Sequence, residues 1–203
     1  MPSTWTGAWS CGVAVTEVPE GGVRLADGEV VRADEVLVAL GSQPNTEWLD
    51  GSGLTLGDGV VCDAAPGVYA AGDVARWHHR LFGAPMRIEH RTHAAEQGMA
   101  AARNLLGAGA RQPFAPVPYF WSDQYDLKVQ AYGSLRGHDE VALVEGDVGE
   151  CRFVAAYRRG DRLTGVLAVG TPPRTIRTWW QAIASGADWA ESMRPAAAGA
   201  GAA

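Results

Sequence analysis

Lysine is almost missing from this chain: Lys128 stands alone beside 16 arginines. Any basic patch therefore offers planar, forked donors suited to carboxylates or phosphates. The 17 basic residues are outnumbered by 23 acidic ones, and the net charge of −6 argues against a nucleic-acid binder that works by broad phosphate neutralisation. Cysteine is scarce too. Cys11, Cys62 and Cys151 lie far apart and form no CxxC pair, so neither a redox dithiol nor a zinc knuckle is encoded, and the three are read as free thiols. No apolar run approaches the roughly 18 to 20 residues that span a bilayer. The opening MPSTWTGAWS has neither a charged n-region nor an apolar h-region, so the expectation is a cytoplasmic protein without membrane or nucleic-acid partners. No internal repeat occurs, and no GxGxxG, the glycine pattern that brings a backbone against a dinucleotide pyrophosphate.

What is present belongs to a folded protein. Hydrophobic residues make up 47% and charged residues 20% of 203 residues and 21.4 kDa, enough for one sizeable domain or two small ones. The first third reads as strands. Val13 to Val18 and Val23 to Leu25 flank the turn Pro19 to Gly22, and Ala26 to Val31 carries a second turn, which predicts a small antiparallel meander. Glu35 to Gly41 and Gly67 to Asp73 are continuous apolar runs ended by glycine, the pattern of strands covered on both faces in a parallel sheet. Ala95, Met99, Ala102 and Leu106 recur at helical spacing and predict a helix from Thr92 to Leu106 with those four on one face. Gly107 to Pro118, rich in glycine and proline, reads as a linker and domain boundary. Beyond it, short strands are expected at Tyr119 to Ser122, Leu127 to Tyr132, Glu140 to Val144, Cys151 to Arg158 and Leu163 to Val169. A helix over Pro173 to Ser185 should place Ile176, Trp179, Trp180 and Ile183 on one face. The ending PAAAGAGAA has too little to bury and is expected to be disordered.

Two segments deliver chemistry-bearing residues at a strand end. In Gly67 to Ala75, GVYAAGDVA, a strand presents Gly72 and Asp73, and ligands of open α/β sheets sit outside that end. Glycine permits close backbone approach, and the carboxylate can accept hydrogen bonds from ribityl or sugar hydroxyls. Val36 to Asn45, VLVALGSQPN, runs likewise into Gly41. Either segment alone reads more simply as a strand followed by a turn.

In order, VLVALGSQPN, GVYAAGDVA, RIEHRTHAAEQG and PYFWSDQYDLKVQAYG resemble the ferredoxin reductase branch of the pyridine nucleotide-disulfide oxidoreductases, over about Val13 to Met193. The resemblance implies a partial Rossmann-like α/β region for FAD and NAD(P), followed by a small α+β C-terminal reductase domain. It implies three parts: residues 1–40 as the last strands of the NAD(P) domain, 41–108 as the second segment of the FAD domain, and 109–203 as the C-terminal domain. The activity implied is transfer of electrons from NAD(P)H through FAD to a ferredoxin-type iron–sulfur protein. Its cofactor contacts fall on Gly41, Gly72, Asp73, Val74, Glu89, His90, Arg91, Thr92 and Trp121. Arg91 stands where relatives carry tryptophan or a small apolar residue, and His93 where they carry asparagine. The helix beginning near Thr92 would turn its positive end to the flavin, and Trp121 would close over it. Arg76, Arg80 and Arg87 are the candidate landing site for an acidic partner.

Relatives of this kind have two GxGxxG motifs where this sequence has none, so the chain resembles a C-terminal half whose flavin chemistry needs a separate chain for the N-terminal half. The alternative is a truncated product, or a non-enzymatic module that docks an iron–sulfur protein without flavin. The stretch between Asp63 and Pro66 also looks several residues shorter than in relatives.

Overall fold

In a computed structural model of the chain, residues 10–62, 67–107 and 109–194 are described. The shortened stretch Asp63 to Pro66 and the alanine-rich ending from Pro195 lie outside them. The chain divides into two compact units, at Ser42 and Gln43.

The first unit holds the meander. Strands β1 (Val15–Glu17), β2 (Gly22–Leu25) and β3 (Val30–Arg32) pair antiparallel in that order, with Val23 opposite Val31. The second turn closes because Asp27 Oδ1 accepts the Glu29 amide at 3.0 Å. The run that follows departs from the sequence reading. Glu35 to Gly41 forms no strand, and Leu37 and Leu40 stand 92% and 86% exposed. A strand apolar on both faces is stable only between neighbouring strands and under covering helices, and among the described residues nothing pairs with this run.

The second unit contains two sheets. A short 3-10 turn at Glu47–Leu49 leads to β4 (Leu56–Gly57), β5 (Gly59–Cys62), β6 (Ala75–His79) and β7 (Ala84–Arg87), ordered β4-β5-β6-β7. Only β5 and β6 run parallel. Here the second apolar run also departs from expectation. Gly67 to Asp73 is irregular, and the strand starts just after it. In β6 the alternation that makes a strand is carried by Ala75, Trp77 and His79 inward and Arg76 and His78 outward. A histidine on the inward face hid that period from a reading based on apolar residues.

Helix α1 (Arg91–Leu106) forms as expected, and the face that carries Ala95, Met99, Ala102 and Leu106 is exposed. His93 and Gln97 are its buried residues, whereas Met99 and Leu106 are 51% and 84% exposed. The inward face is set by what the hairpin β6–β7 and the following segment offer, which is aromatic rings and main-chain polar groups rather than an aliphatic layer.

The rest is an antiparallel five-stranded sheet. Its strands are β8 (Tyr119–Gln124), β9 (Leu127–Gly133), β10 (Glu140–Asp147), β11 (Arg152–Arg159) and β12 (Arg162–Val169), ordered β10-β11-β12-β9-β8. Helices α2 (Pro173–Ser185) and α3 (Trp189–Ser192) follow. The core joins Val154, Ala156, Leu163, Val166 and Ala168 of β11 and β12 to Ile176 and Ile183 of α2, both 1% exposed. Trp180, expected on that face, is instead 40% exposed, while Trp179 packs at the core's edge. Phe82, from the turn between β6 and β7, enters this same core, and Arg159 donates to its carbonyl. The small sheet is thereby clamped to the large one. The resulting fold is a partial Rossmann-like α/β region followed by an α+β domain. Among the described residues no helix is long and apolar enough to cross a membrane.

Candidate functional site

The site is built where the chain leaves β7 and enters α1. Arg87, at the end of β7, has a largely buried side chain that ties three segments together. Its Nε donates to Asp58 Oδ1 at 2.9 Å, and one terminal nitrogen donates to the Asp73 carbonyl at 3.0 Å and to Glu89 Oε1 at 2.5 Å. Asp73 and Glu89 are thus brought to one guanidinium. Arg87 is spent on this clamp, which removes it from the expected landing site and leaves Arg76 and Arg80.

Gly72 is fixed from the other side. Its amide donates to Gln97 Oε1 of α1 at 2.8 Å, and at φ 81 a Cβ there would meet Ala94 at 3.6 Å. Glycine is required by the left-handed backbone rather than by crowding. The Asp73 side chain is exposed and accepts no hydrogen bond from a described residue. Val74 is half-buried, and its carbonyl accepts the Val60 amide at 2.7 Å, which holds it as a structural member of the sheet edge.

The N-terminus of α1 is open. His90 is its N-cap and makes no side-chain cap, and the first main-chain amide bonded within the helix is that of Ala94, to His90. The amides of Arg91, Thr92 and His93 therefore point outward with the positive end of a 16-residue helix. The Arg91 and Thr92 side chains are exposed beside them. Over this end lies Trp121 of β8, edge-on to His90 with ring centroids 5.0 Å apart and stacked on Tyr119 at 5.5 Å. Of the expected set, Gly72, Asp73, Glu89, His90, Arg91, Thr92 and Trp121 lie on the segments joined around this helix end. Gly41 belongs to the first unit, where it is exposed with φ 80.

Behind the site is a buried stack that the sequence reading missed. His93 lies over Trp77 at 5.2 Å and edge-on to Phe114 at 5.1 Å, while His79 meets Phe82 at 4.8 Å. Trp77 Nε1 donates to the Phe114 carbonyl at 3.0 Å, and His79 Nε2 sits 2.8 Å from the Pro116 carbonyl. Residues of the glycine- and proline-rich segment are thus pinned to β6. Burial, helped by the neighbouring His79 and His90, lowers the pKa of His93 to about 4. His79 is lowered as well, mainly by burial, against the opposing effect of its carbonyl partner. His79 Nδ1, His90 Nδ1 and His93 Nε2 are buried without hydrogen-bond partners. The sequence held one usable signal for this face, His93 and Gln97 four apart on a helix whose aliphatic residues lie opposite.

A flavin suits this geometry at one end. An open carboxylate at Asp73 can take hydroxyl donors, and three unpaired helix amides beside a buried, unpartnered His90 nitrogen can face an electron-rich heterocycle. A second, glycine-rich helix start for a pyrophosphate is absent from the sequence.

Comparison with known proteins agrees with this arrangement. Residues 8–98 match the pyridine nucleotide-disulphide oxidoreductase family and residues 119–196 the reductase C-terminal family. The 5,5'-dehydrodivanillate O-demethylase ferredoxin reductase subunit of Sphingobium sp. is 38% identical over 160 residues, covering 74% of this chain and 38% of that protein. Putidaredoxin reductase CamA of Pseudomonas putida is 33% identical over 174 residues, covering 82% and 40%. The crystal structure of the covalent putidaredoxin reductase–putidaredoxin complex superposes with a TM-score of 0.75 at 29% identity, over 86% of this chain and 44% of that one. The chain spans about two-fifths of the length of the curated relatives it matches.

Proposed function

The chain belongs to the ferredoxin reductase branch of the pyridine nucleotide-disulphide oxidoreductases, and from that premise we propose that it is the flavin-facing part of an NAD(P)H-dependent ferredoxin reductase. Its cofactors are FAD and NAD(P)H, and its electron acceptor is a ferredoxin-type iron–sulfur protein. The reading divides the chain into residues 1–40 of the NAD(P) domain, 41–108 of the FAD domain and 109–203 as the C-terminal domain. The setting is the cytoplasm, in keeping with free thiols at Cys11 and Cys151 that are both exposed.

One observation supports the reading: the Gly72–Asp73 turn is tied to α1 through Gln97 and to Arg87, and Trp121 of the C-terminal sheet lies edge-on to His90 at the uncapped start of that helix. Bound FAD supplies the two-electron acceptance and one-electron release that join a hydride donor to an iron–sulfur acceptor. Asp73 accepts hydrogen bonds from ribityl hydroxyls. Gly72, held by Gln97, keeps the backbone low enough for the chain of hydroxyls to pass. The amides of Arg91, Thr92 and His93 would offer positive potential to a flavin held there, favouring negative charge on it, and Arg91 would add a fixed cation nearby. Trp121, braced by Tyr119 and His90, covers the ring and excludes water. Glu89 orders Arg87, which in turn holds the Asp73 main chain.

The test is a flavin titration of the purified chain followed by fluorescence quenching, with FAD and riboflavin compared. Because only the ring and ribityl end has a seat here, the two should bind with similar affinity, and Asp73→Ala should weaken both by about tenfold, the worth of a lost hydrogen-bonding group. Flavin binding that ignores Asp73→Ala, or no binding of either flavin, would sink the assignment.

A further inference from the structure

The five-stranded sheet spends only one of its two faces on the core. Strand alternation turns Val154, Ala156, Val166 and Ala168 towards α2 and Phe82. The residues between them turn the other way. From one edge of the sheet to the other, the cross-strand register lines up Leu143, Ala155, Leu167, Ala131 and Phe120. The row on one side of these brings Phe153, Val169 and Val129, and the row on the other side Val141 and Tyr157. None of these side chains is charged, and none belongs to the core or packs against it. Leu143, Val141 and Phe120 are 52%, 45% and 41% exposed. An antiparallel sheet with one uncovered face normally turns polar residues to the water, and this one does not.

At one end the loop after β9 closes this face. His138 stands edge-on to Tyr157 with ring centroids 5.1 Å apart, and a Cβ on Gly165 would meet Leu135 Cδ2 at 2.8 Å. The remainder is open among the described residues. With strands about 4.8 Å apart and a rise of about 3.4 Å per residue, its footprint with side chains included is roughly 25 by 20 Å, or about 500 Å². A contiguous apolar patch of that size marks a contact surface. Its relief is regular in the central row, where Leu143, Leu167 and Phe120 alternate with the shorter alanines of β11 and β9.

We infer that this face joins two copies of the chain, sheet against sheet, in a reversible two-fold dimer. Two such faces bury about 1,000 Å², which meets the lower bound for a specific interface and falls short of a permanent one. The surface itself selects a second copy over a different protein. A partner of other sequence is chosen largely through complementary charge, and this face has none to offer. Two chains of net charge −6 meet on it without setting like charges opposite each other. A two-fold contact also needs a surface complementary to itself. With the axis between Leu167 and a flanking alanine, Leu167 of each copy comes over the short residue of the other, and packed sheets interdigitate in this way with their strands about 30° apart. Trp121 follows Phe120 in β8 and points to the opposite face, so the dimer leaves the start of α1 uncovered.

The experiment uses the whole chain without flavin. Sedimentation velocity from about 1 to about 100 µM brackets the dissociation constants that such an area gives, and should show monomer passing to dimer. Hydroxyl-radical footprinting over the same range should show oxidation of Phe120, Leu143 and Leu167 falling as the dimer forms, with Met99 of α1 unchanged. Leu143→Lys and Phe120→Asp each place a charge in the contact at a position that water reaches in the monomer, and should weaken association by about tenfold or more. Leu106→Lys, on α1 and 84% exposed, should leave it unchanged. A monomer at every concentration overturns the inference, as does a dimer that both face variants leave intact. Shielding of Phe120, Leu143 and Leu167 that is already complete in the monomer puts a segment of the same chain on the face and overturns it too. Where a variant loses its fold, footprinting of the unaltered chain decides alone.

Discussion

At the scale of single residues, His93 decides how the site responds to acid. It is 3% exposed, stacked between Trp77 and Phe114, and its pKa falls from 6.5 to about 4 because burial penalises the cation. The folded state thus refuses a proton that the unfolded chain accepts. Stability from this group is complete above pH 6.5 and is lost as pH falls towards 4, a total of roughly 3 kcal/mol. His79, lowered in the same direction, adds to the slope. Denaturant unfolding at pH 7, 5.5 and 4.5 should show this loss, and His93→Phe, which keeps a ring in the stack and removes both the titration and the orphaned Nε2, should flatten it partly. Equal loss in the variant would mean that His93 is not held neutral. The same residue shows why part of the site was not legible. A histidine in a helix is a polar residue to any hydrophobic count, and its burial depends on Trp77 and Phe114, which are 16 and 21 positions away.

At the scale of elements, legibility followed whether an element carries its own partner. The strands from Tyr119 onward and α2 agree closely with the sequence reading, because their neighbours are hairpin-connected or adjacent and each alternation finds its own core. α2 is the sharpest case, with proline in its first turn and Gly186 at φ 67 closing it. Ile183→Ala should therefore cost about 2 to 5 kcal/mol in unfolding free energy, as expected for a methyl-rich side chain 1% exposed in a shared core. Trp180→Ala, one turn's edge away and 40% exposed, should cost much less. A reversed order of the two would contradict the packing of α2. The runs Glu35 to Gly41 and Gly67 to Asp73 went the other way. Their composition is that of strands, but a strand is a relation between two segments, and the described residues contain no second one for either. In α1 the spacing gave the helix, while its buried face is that of His93 and Gln97, since the surface it packs against is aromatic and polar.

For the molecule as a whole, the question is where its cooperative body begins. The sequence reading placed a boundary in Gly107 to Pro118. Two contacts bear on that boundary. Phe82, between β6 and β7, is buried in the core of β11, β12 and α2, and Arg159 of β11 donates to its carbonyl. Phe114 and Pro116 lie inside the supposed linker, and their carbonyls are spoken for by Trp77 and His79 of β6. A hairpin that contributes an aromatic ring to the main core and anchors the following segment should unfold with that core and not before it. In the first unit Leu25, at 6%, is the one described large side chain of the meander that is buried, and the exposed Leu37 to Leu40 follows the meander directly. Limited chymotrypsin digestion should therefore cut first at Leu37 or Leu40, and leave a resistant body that starts near Gln43 and retains β6, β7 and α1 with the C-terminal sheet. Mass spectrometry of the resistant band reads this directly. A body that begins near Gly107 would mean that Phe82 packs without contributing to cooperativity.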